Sequence, residues 1–581
     1  VTAVTSDVVA KTTVLDDAHV GDIHGAFGTI RLGDTAARST WATRLKTLLA
    51  VVGPGLIVMI GDNDAGAFST YGQAGQDYGT KLLWTLLLLV PVIYVNQEMV
   101  LRLGAVTGVG HARLILSRFG RIWGAFEIGG LFIVNALTIV TEFIGITLAA
   151  GYLGVPKVIA VMMAAAVIIS TAFTGSFRRF ERVAMALCAG SLLLVPLYVL
   201  SHPSGARMAA GFAVPALPGT GPGGTAGVML LVIGIVGTTI APWQLFFQQS
   251  YVIDKRITPR FIRYEKADLW IGIVIVVLGA AAIMGAAAAA VAGTSGSGKF
   301  TDAAGIARAI AAHSGQVGGA LFAVALLDAS IIGAFAVSLA TAYAVSDVTG
   351  MNHSLHRGVG QAKGFYALYA ALIGGAAVIV LIPGSPLGLI TEGVQVLCGM
   401  LLPVATVFLL LLCNDKVVLG PWANGRKTNA FTGAVVALLI TLSMVLTASV
   451  LDPSLTARQI GAIMGGCAAI ALAIGAGWLI RIVRRNDSGS PAPRRPGVVG
   501  GYNMAGGYNM AGGDNMAGGD AMAAGDEMAA ADKMTWRMPP LAELPAPVIA
   551  GARKWGLMAL QGYVAIAMIG VIVKIVVLAV H

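Results

Sequence analysis

An all-α integral membrane bundle of about a dozen spans is the fold this sequence predicts, and three observations carry that expectation. Of 581 residues, 57% are hydrophobic and 11% charged, with a mean hydropathy of +0.81. That composition lies outside the range of soluble domains. Apolar runs of roughly 20 residues, the length needed to cross a hydrocarbon core, recur with short polar breaks between them. Runs such as 82–95 and 271–283 are apolar on every side, which suits helices and not the alternating strands of a β-barrel.

The predicted spans are 46–72, 80–101, 123–152, 156–174, 183–201, 225–252, 267–292, 317–348, 365–383, 386–413, 429–450, 459–483 and 556–580. Starting from a cytoplasmic N-terminus, alternate loops collect the basic residues: Arg102, Arg113, Arg118 and Arg121; Arg178, Arg179 and Arg182; Lys255, Arg256, Arg260, Arg263 and Lys266. Arg357, Lys363, Lys416, Arg426, Lys427, Arg481, Arg484 and Arg485 continue the series, while the opposite loops hold only scattered Lys81, Lys157, Arg207, Lys299, Arg308 and Arg458. This asymmetry is the positive-inside signal of a multi-pass cell-membrane protein. It also accounts for the net charge of +10 without nucleic acid. Cys188, Cys398, Cys413 and Cys467 fall in or beside apolar runs with no pairing pattern, and read as small buried residues. No cleavable signal peptide is expected at the polar N-terminus.

Four segments follow: a cytoplasmic N-terminal stretch (1–45), a transporter-like domain of about 12 spans (46–485), a linker (486–552) and an additional C-terminal transmembrane helix (553–581). The linker turns abruptly to Pro, Gly, Asp and Met, with a six-residue repeat placing Met504, Met510, Met516, Met522, Met528 and Met534 in register. With Asp514, Asp520, Asp526 and Asp532, those methionines have the chemistry of a soft-metal or partner-binding segment; a disordered linker is the simpler expectation. The last helix, with Arg553 and Lys554 at its edge, is expected to stand outside the main bundle.

Two spans carry polar and helix-breaking residues at mid-membrane, where free backbone groups are tolerated only around a cavity or site. The first reads Gly53-Pro54-Gly55 and then Gly61-Asp62-Asn63-Asp64-Ala65-Gly66-Ala67. An acid inside a span is a functional-site hypothesis by default. The sixth reads Gly237-Thr238-Thr239-Ile240-Ala241-Pro242-Trp243-Gln244, where the proline frees upstream carbonyls. Interrupted helices five spans apart fit an inverted repeat of spans 1–5 and 6–10 and hence a secondary transporter. Kinks that serve packing alone are the competing explanation.

From Gly53 onward the residues resemble the NRAMP family of divalent-metal transporters. Asp64-Ala65-Gly66-Ala67 falls on the family's DPGN, followed by Gln73-Ala74-Gly75, Tyr78-Gly79 and Leu82-Leu83-Trp84. Leu103-Gly104 with Val106-Thr107-Gly108, Glu142-Phe143-Ile144-Gly145, Gln395 ahead of Leu402-Pro403, and Asp415-Lys416 to Gly420 with Asn424 and Arg426 continue the match through most of 46–450. The resemblance implies the inverted-repeat fold of the amino-acid transporter LeuT, 5+5 spans with two more appended. It also implies a transported Mg2+ or Mn2+ as substrate, with no cofactor, no enzymatic activity and no nucleic-acid partner.

The departures narrow the reading. The motif's asparagine is Ala67, and the sixth-span MPH is Ala241-Pro242-Trp243, so an oxygen ligand and the thioether are both replaced. Sulfur favours transition metals, whereas magnesium wants oxygen and keeps its water. The pattern resembles the NRAMP-related magnesium transporters. Trp243 stands where the family has a histidine, and Ile139 where it has an acid three places before Glu142, which implies potential-driven uniport without protons. A proton-coupled Mn2+ or Fe2+ carrier and a non-transporting metal sensor remain the alternatives.

Asp64 is expected to touch the cation, with the backbone at Ala65 and Thr238, the side chains of Thr238, Thr239 and Gln395, and the space left by Ala67 and Ala241 completing the metal site. A threonine in a span also bonds back to its own helix, so both hydroxyls carry that alternative. Asp62, an acid the family does not lead one to expect, either orients a hydrated ion through water or faces a vestibule. Glu142 is read as a buried structural carboxyl. His111, His313, His353 and His356 fall in predicted loops and are expected to be solvated. No nucleophile triad, P-loop or dinucleotide fingerprint appears.

Overall fold

The computed structural model describes residues 17–218, 222, 224–383, 387–452, 455–487, 533–534, 536–545 and 551–580. A two-stranded hairpin, β1 (Ile23–His24) and β2 (Thr29–Ile30), precedes a helical bundle. Helix α1 (Trp41–Val51) is capped by Thr40 and carries Arg44 and Lys46. It meets α2 (Pro54–Ile60) at a 55° bend, so the first predicted span is not one rod. Gly53, with φ of +154°, makes that corner. The crossing instead continues from α2 into α3 (Ala65–Tyr78), six residues beyond the predicted end.

The remaining first half comprises α4 (Trp84–Thr107), the short α5 (His111–Phe119), α6 (Arg121–Tyr152), α7 (Lys157–Ala172) and α8 (Phe177–Gly190), which bends through Ser191–Leu193 into α9 (Leu194–Ser201). After the small α10 (Gly205–Ala213), the second half opens on the broken pair α11 (Gly224–Thr239) and α12 (Pro242–Asp254). It continues with α13 (Ile262–Val291), α14 (Ala303–Ser314), α15 (Gln316–Thr349), α16 (Lys363–Leu381) and α17 (Leu387–Asn414). A one-turn helix, α18 (Lys416–Leu419), then leads to α19 (Arg426–Leu451), α20 (Ala457–Asp487) and α21 (Ala552–Val580). Among the described residues, eleven helices are long and apolar enough to cross a membrane, or twelve counting the bent pair. Lys157–Ala172 is shorter.

Lipid gives helices no hydrophobic reason to associate, so close packing through small residues has to hold them. Gly237 on α11 shows how: a β-carbon there would lie 2.4 Å from the Gln395 carbonyl on α17. The broken span Gly227–Asp254 is the centre of the bundle, 94% buried over its most apolar stretch, while Arg458–Gly477 is 6% buried and forms its edge. The C-terminal α21 does not stand apart as expected. It lies against α17 and α19, burying Leu557, Val564, Ala567 and Met568, with Tyr563 Oη donating to the Ser443 carbonyl at 2.7 Å.

Of the linker, Met504, Met510, Met516, Met522 and Met528 with Asp514, Asp520, Asp526 and Asp532 lie outside the described residues. Residues 533–534 and 536–545 are described, and they are docked: the Trp422 indole donates to the Lys533 carbonyl at 2.8 Å, Lys533 Nζ sits 4.4 Å over the Trp422 ring, and Arg118 binds the Pro545 carbonyl.

Candidate functional site

Both breaks have local causes. Helix α2 stops at Gly61, and Asp64 restarts the chain as the N-cap of α3, its Oδ1 accepting the Ala67 amide at 2.9 Å. Aspartate favours this position because its oxygen satisfies an otherwise orphaned amide. Helix α11 ends at Thr239, and α12 begins at Pro242 after Ala241 in extended conformation. Proline suits a first turn, where its missing N–H costs nothing.

Around Asp64 the bundle closes tightly. Glu142 on α6 is fully buried and accepts the Ala65 amide through Oε2 at 3.1 Å. A β-carbon on Gly333 of α15 would lie 2.6 Å from that Oε2 and 3.0 Å from the Asp64 β-carbon, so the two acids share one glycine-lined recess. Gly66 has the same purpose on the other side: a β-carbon there would overlap Gln395 Nε2 at 1.7 Å and meet Asp64 Oδ1 at 3.2 Å. Asp64 and Gln395 therefore converge over Gly66. The Ala65 methyl faces Gly145, leaving only its backbone for chemistry at the break.

The threonines separate. Thr239 donates to the Ile235 carbonyl at 2.5 Å and meets the Tyr71 hydroxyl at 2.7 Å. Thr238 Oγ1 is buried without a protein partner, as is Gln395 Nε2. Asp62 lies within the first break, 1% exposed, its Oδ1 accepting from the Gln244 amide while Oδ2 has no partner. Gln244 is held in turn by Gln97 Nε2 at 3.0 Å. Asn63 Nδ2 bonds the Val276 carbonyl at 3.3 Å, and its Oδ1 is unpartnered. A buried polar atom without a partner costs about 1–3 kcal/mol, so this concentration of orphan oxygens and amides suits a polar occupant.

No arginine or lysine pairs with Asp62, Asp64 or Glu142 among the described residues. The donors facing the break are carboxylate, hydroxyl and amide, which match a hard cation. One sulfur stands close by: Cys398, one turn along α17 from Gln395, lies 3.9 Å from Thr138 Oγ1. Tyr71 and Gln97 are not evident from the sequence. The run Asn96-Gln97-Glu98 inside an apolar span was the available signal for Gln97.

The family model that describes natural resistance-associated macrophage protein-like (Nramp) proteins matches residues 55–449. The chain belongs to the Nramp family. A divalent metal cation transporter MntH of Pectobacterium carotovorum is 26% identical over 428 residues, covering 71% of this chain and 98% of that protein. The MntH of Burkholderia ambifaria is 27% identical over 424 residues, covering 69% and 89%. In structure, the manganese transporter of Eremococcus coleocola aligns with a TM-score of 0.57 at 20% identity, covering 78% of this chain and 97% of that one. The bundle thus has the LeuT-like Nramp fold.

Against the Nramp pattern, the replaced positions all lie inside the protein. Ala67 and Trp243 are fully buried and Ala241 is 4% exposed. Trp243 packs edge-on to Phe247 and close to Gly61, the packing role expected of a buried indole. His111 is buried and His353 and His356 are half-buried, against expectation, whereas His313 is exposed as expected, near the end of α14. His111 opens α5 fully buried against Gln249 at 2.9 Å, and His313 meets the Ser201 carbonyl at 3.2 Å. His353 pairs with Asp347 at 3.1 Å, and His356 Nε2 with the Asp254 carbonyl at 3.0 Å. Loop position alone does not expose a side chain when other segments fold over it.

Proposed function

We propose that this Nramp protein is a secondary transporter of divalent cations that takes up partly hydrated Mg2+, and also Mn2+, by potential-driven uniport. The observation that carries the reading is the set of three buried acids at the first break, Asp62, Asp64 and Glu142, with hard neutral donors and, among the described residues, no basic partner around them. Relatives named as divalent metal cation transporters support the substrate class. Asp64 contacts the ion, with Gln395, Thr238 and the main chain at Ala65 and Thr238 as neutral ligands. Asp62 and Gln244 act through retained water. Ala67 and Ala241 leave room for that water where bulkier ligands would strip it. Thr239 positions Tyr71 instead of binding.

The N-terminal face is cytoplasmic on this reading, with 46–485 as the transport domain, 486–552 as a tether and 553–581 as a further span. Alternating access rocks the broken helices around the fixed site. A divalent ion gains about 4.6 kcal/mol per 100 mV, enough for a gradient of about two-thousandfold without a second ion.

A second reading, proton-coupled Mn2+ or Fe2+ transport, is favoured by one observation, the titratable Glu142 beside Asp64. Liposomes held at a defined potential separate the two. Mg2+ entry that follows the potential with unchanged internal pH is the expected result. Stoichiometric acidification during uptake would establish the second reading, and binding without flux would indicate a sensor.

A further inference from the structure

The family match begins at residue 55, so the N-terminal hairpin is not part of it, yet this segment is bonded to the bundle at several points. The Ala26 amide donates to Glu181 Oε2 at 2.5 Å, Arg178 Nε to the Gly25 carbonyl at 3.1 Å and Arg182 Nε to the Ala26 carbonyl at 3.2 Å, all on α8. From the end of α12, Arg256 donates to the Ala18 carbonyl at 2.8 Å and the Asp22 carbonyl at 3.1 Å. Arg256 has φ of +66°, a conformation sparsely populated outside glycine. Such strain persists where surrounding contacts over-determine it. Gly25 rests on α1 so closely that a β-carbon would lie 2.0 Å from the Ala50 carbonyl.

The hairpin sits beside the corner that starts α2, on the N-terminal side of the first break. Glu181, its anchor, also holds Lys255 Nζ at 2.6 Å, and Lys255 donates to the Val52 carbonyl at 2.7 Å, just before the corner that starts α2. One short segment therefore ties α1, α8 and α12 together on the N-terminal face. It also brings histidines with it: the His24 and His356 rings lie 6.2 Å apart, and His19 and His353 lie 5.5 Å apart.

We propose that residues 18–30 are a latch that holds α1, α8 and α12 together on the N-terminal face, keeping the path to the first break closed, and that it releases when His24 and His356 gain protons. As a gate the latch rests on the transport reading above. His24 faces Arg256, Arg178, Asp22 and His356; His356 faces Asp254, Arg256 and His24 and stacks on Phe177 at 4.9 Å. Burial, then Arg256, opposed by Asp22, lowers the His24 value below 6.5; burial, opposed by Asp254 and aided by Arg256, lowers that of His356. A lowered value in the latched state means the latch is at full strength above pH 6.5 and weakens as pH falls through the latched values. His353 does not share this transition: burial lowers its value, but Asp347 outweighs that and raises it to about 9, so it stays charged.

Hydrogen exchange of the amides of residues 18–30 in the full chain, corrected for intrinsic rates, tests this. Protection is expected to fall about tenfold or more between about pH 7.5 and pH 5.5 in the wild type. It should persist at the lower pH in a His24→Gln/His356→Gln variant, and be lost at both in Gly25→Val. Wild-type protection that does not change with pH, a double variant that behaves as wild type, or an unaffected Gly25→Val would each overturn the latch. Flux in liposomes supplies the gate arm: Gly25→Val is expected to change the initial uptake rate about threefold or more. Lost protection with an unchanged rate in a transporting protein overturns the gate. No flux in any variant at any pH refutes the transport reading, and the exchange result still decides the latch.

Discussion

Two groups of buried carboxyls lie along the same broken helix, and they are compensated in opposite ways. At the N-terminal end of α2, Glu181 pairs with Lys255, both fully buried at 2.6 Å, while Asp268 Oδ2 accepts the amides of Gly53, Gly55 and Leu56 at 3.2, 2.7 and 3.3 Å. That group carries its own tethered cation and a helix N-terminus, the arrangement that favours negative charge. At the C-terminal end of α2, Asp62, Asp64 and Glu142 have amides and a glutamine but, among the described residues, no basic side chain. The first group has a lysine of its own, although Asp268 Oδ1 and both oxygens of the neighbouring buried Glu265 have no hydrogen-bond partner. The second has no such lysine among the described residues, a charge that a mobile cation can supply, and the proposed transport site rests on this difference.

The comparison breaks most visibly at Lys255. Lys255→Met leaves Glu181 buried and unpaired, and about 3–5 kcal/mol of stability should be lost in thermal unfolding, with partial recovery on adding Glu181→Gln. Wild-type stability would mean that the lysine is not what neutralises this group. Next in size is selectivity. Ala67→Asn with Ala241→Met restores an amide and a thioether, and Mg2+ competition against Mn2+ uptake should weaken about tenfold. Equal competition before and after moves selectivity to Gln395, Thr238 or Cys398. The smallest effect is expected for Asp62→Ala, which removes an oxygen acting through water: uptake should fall by about three- to tenfold. Complete loss would place Asp62 in direct contact with the ion.

Much of the bundle was legible because lipid imposes one rule, that each span be apolar and long. Each predicted span has a helical counterpart, and both breaks fall where Gly61-Asp62-Asn63-Asp64 and Ile240-Ala241-Pro242 placed them. What the chain did not disclose concerns partners distant in sequence. The 55° bend at Gly53 depends on Asp268, more than 200 residues away, holding the amides of α2. Thr238 and Thr239 are indistinguishable as letters; the Ile235 carbonyl and the Tyr71 hydroxyl, both met by Thr239, separate them. His353 and His356 looked solvated because hydropathy does not report that residues 18–30 fold back against them, just as it does not report that α21 returns to pack on α17.

The central claim is that Asp64 holds the transported divalent ion. The most direct measurement compares wild type and Asp64→Ala in liposomes at a fixed inside-negative potential, following Mg2+ entry while thermal unfolding of the same preparations reports folding. Potential-driven entry in the wild type, with at least about a hundredfold loss in a variant whose bundle remains folded, is the expected result. Folded Asp64→Ala protein taking up Mg2+ near the wild-type rate would contradict it.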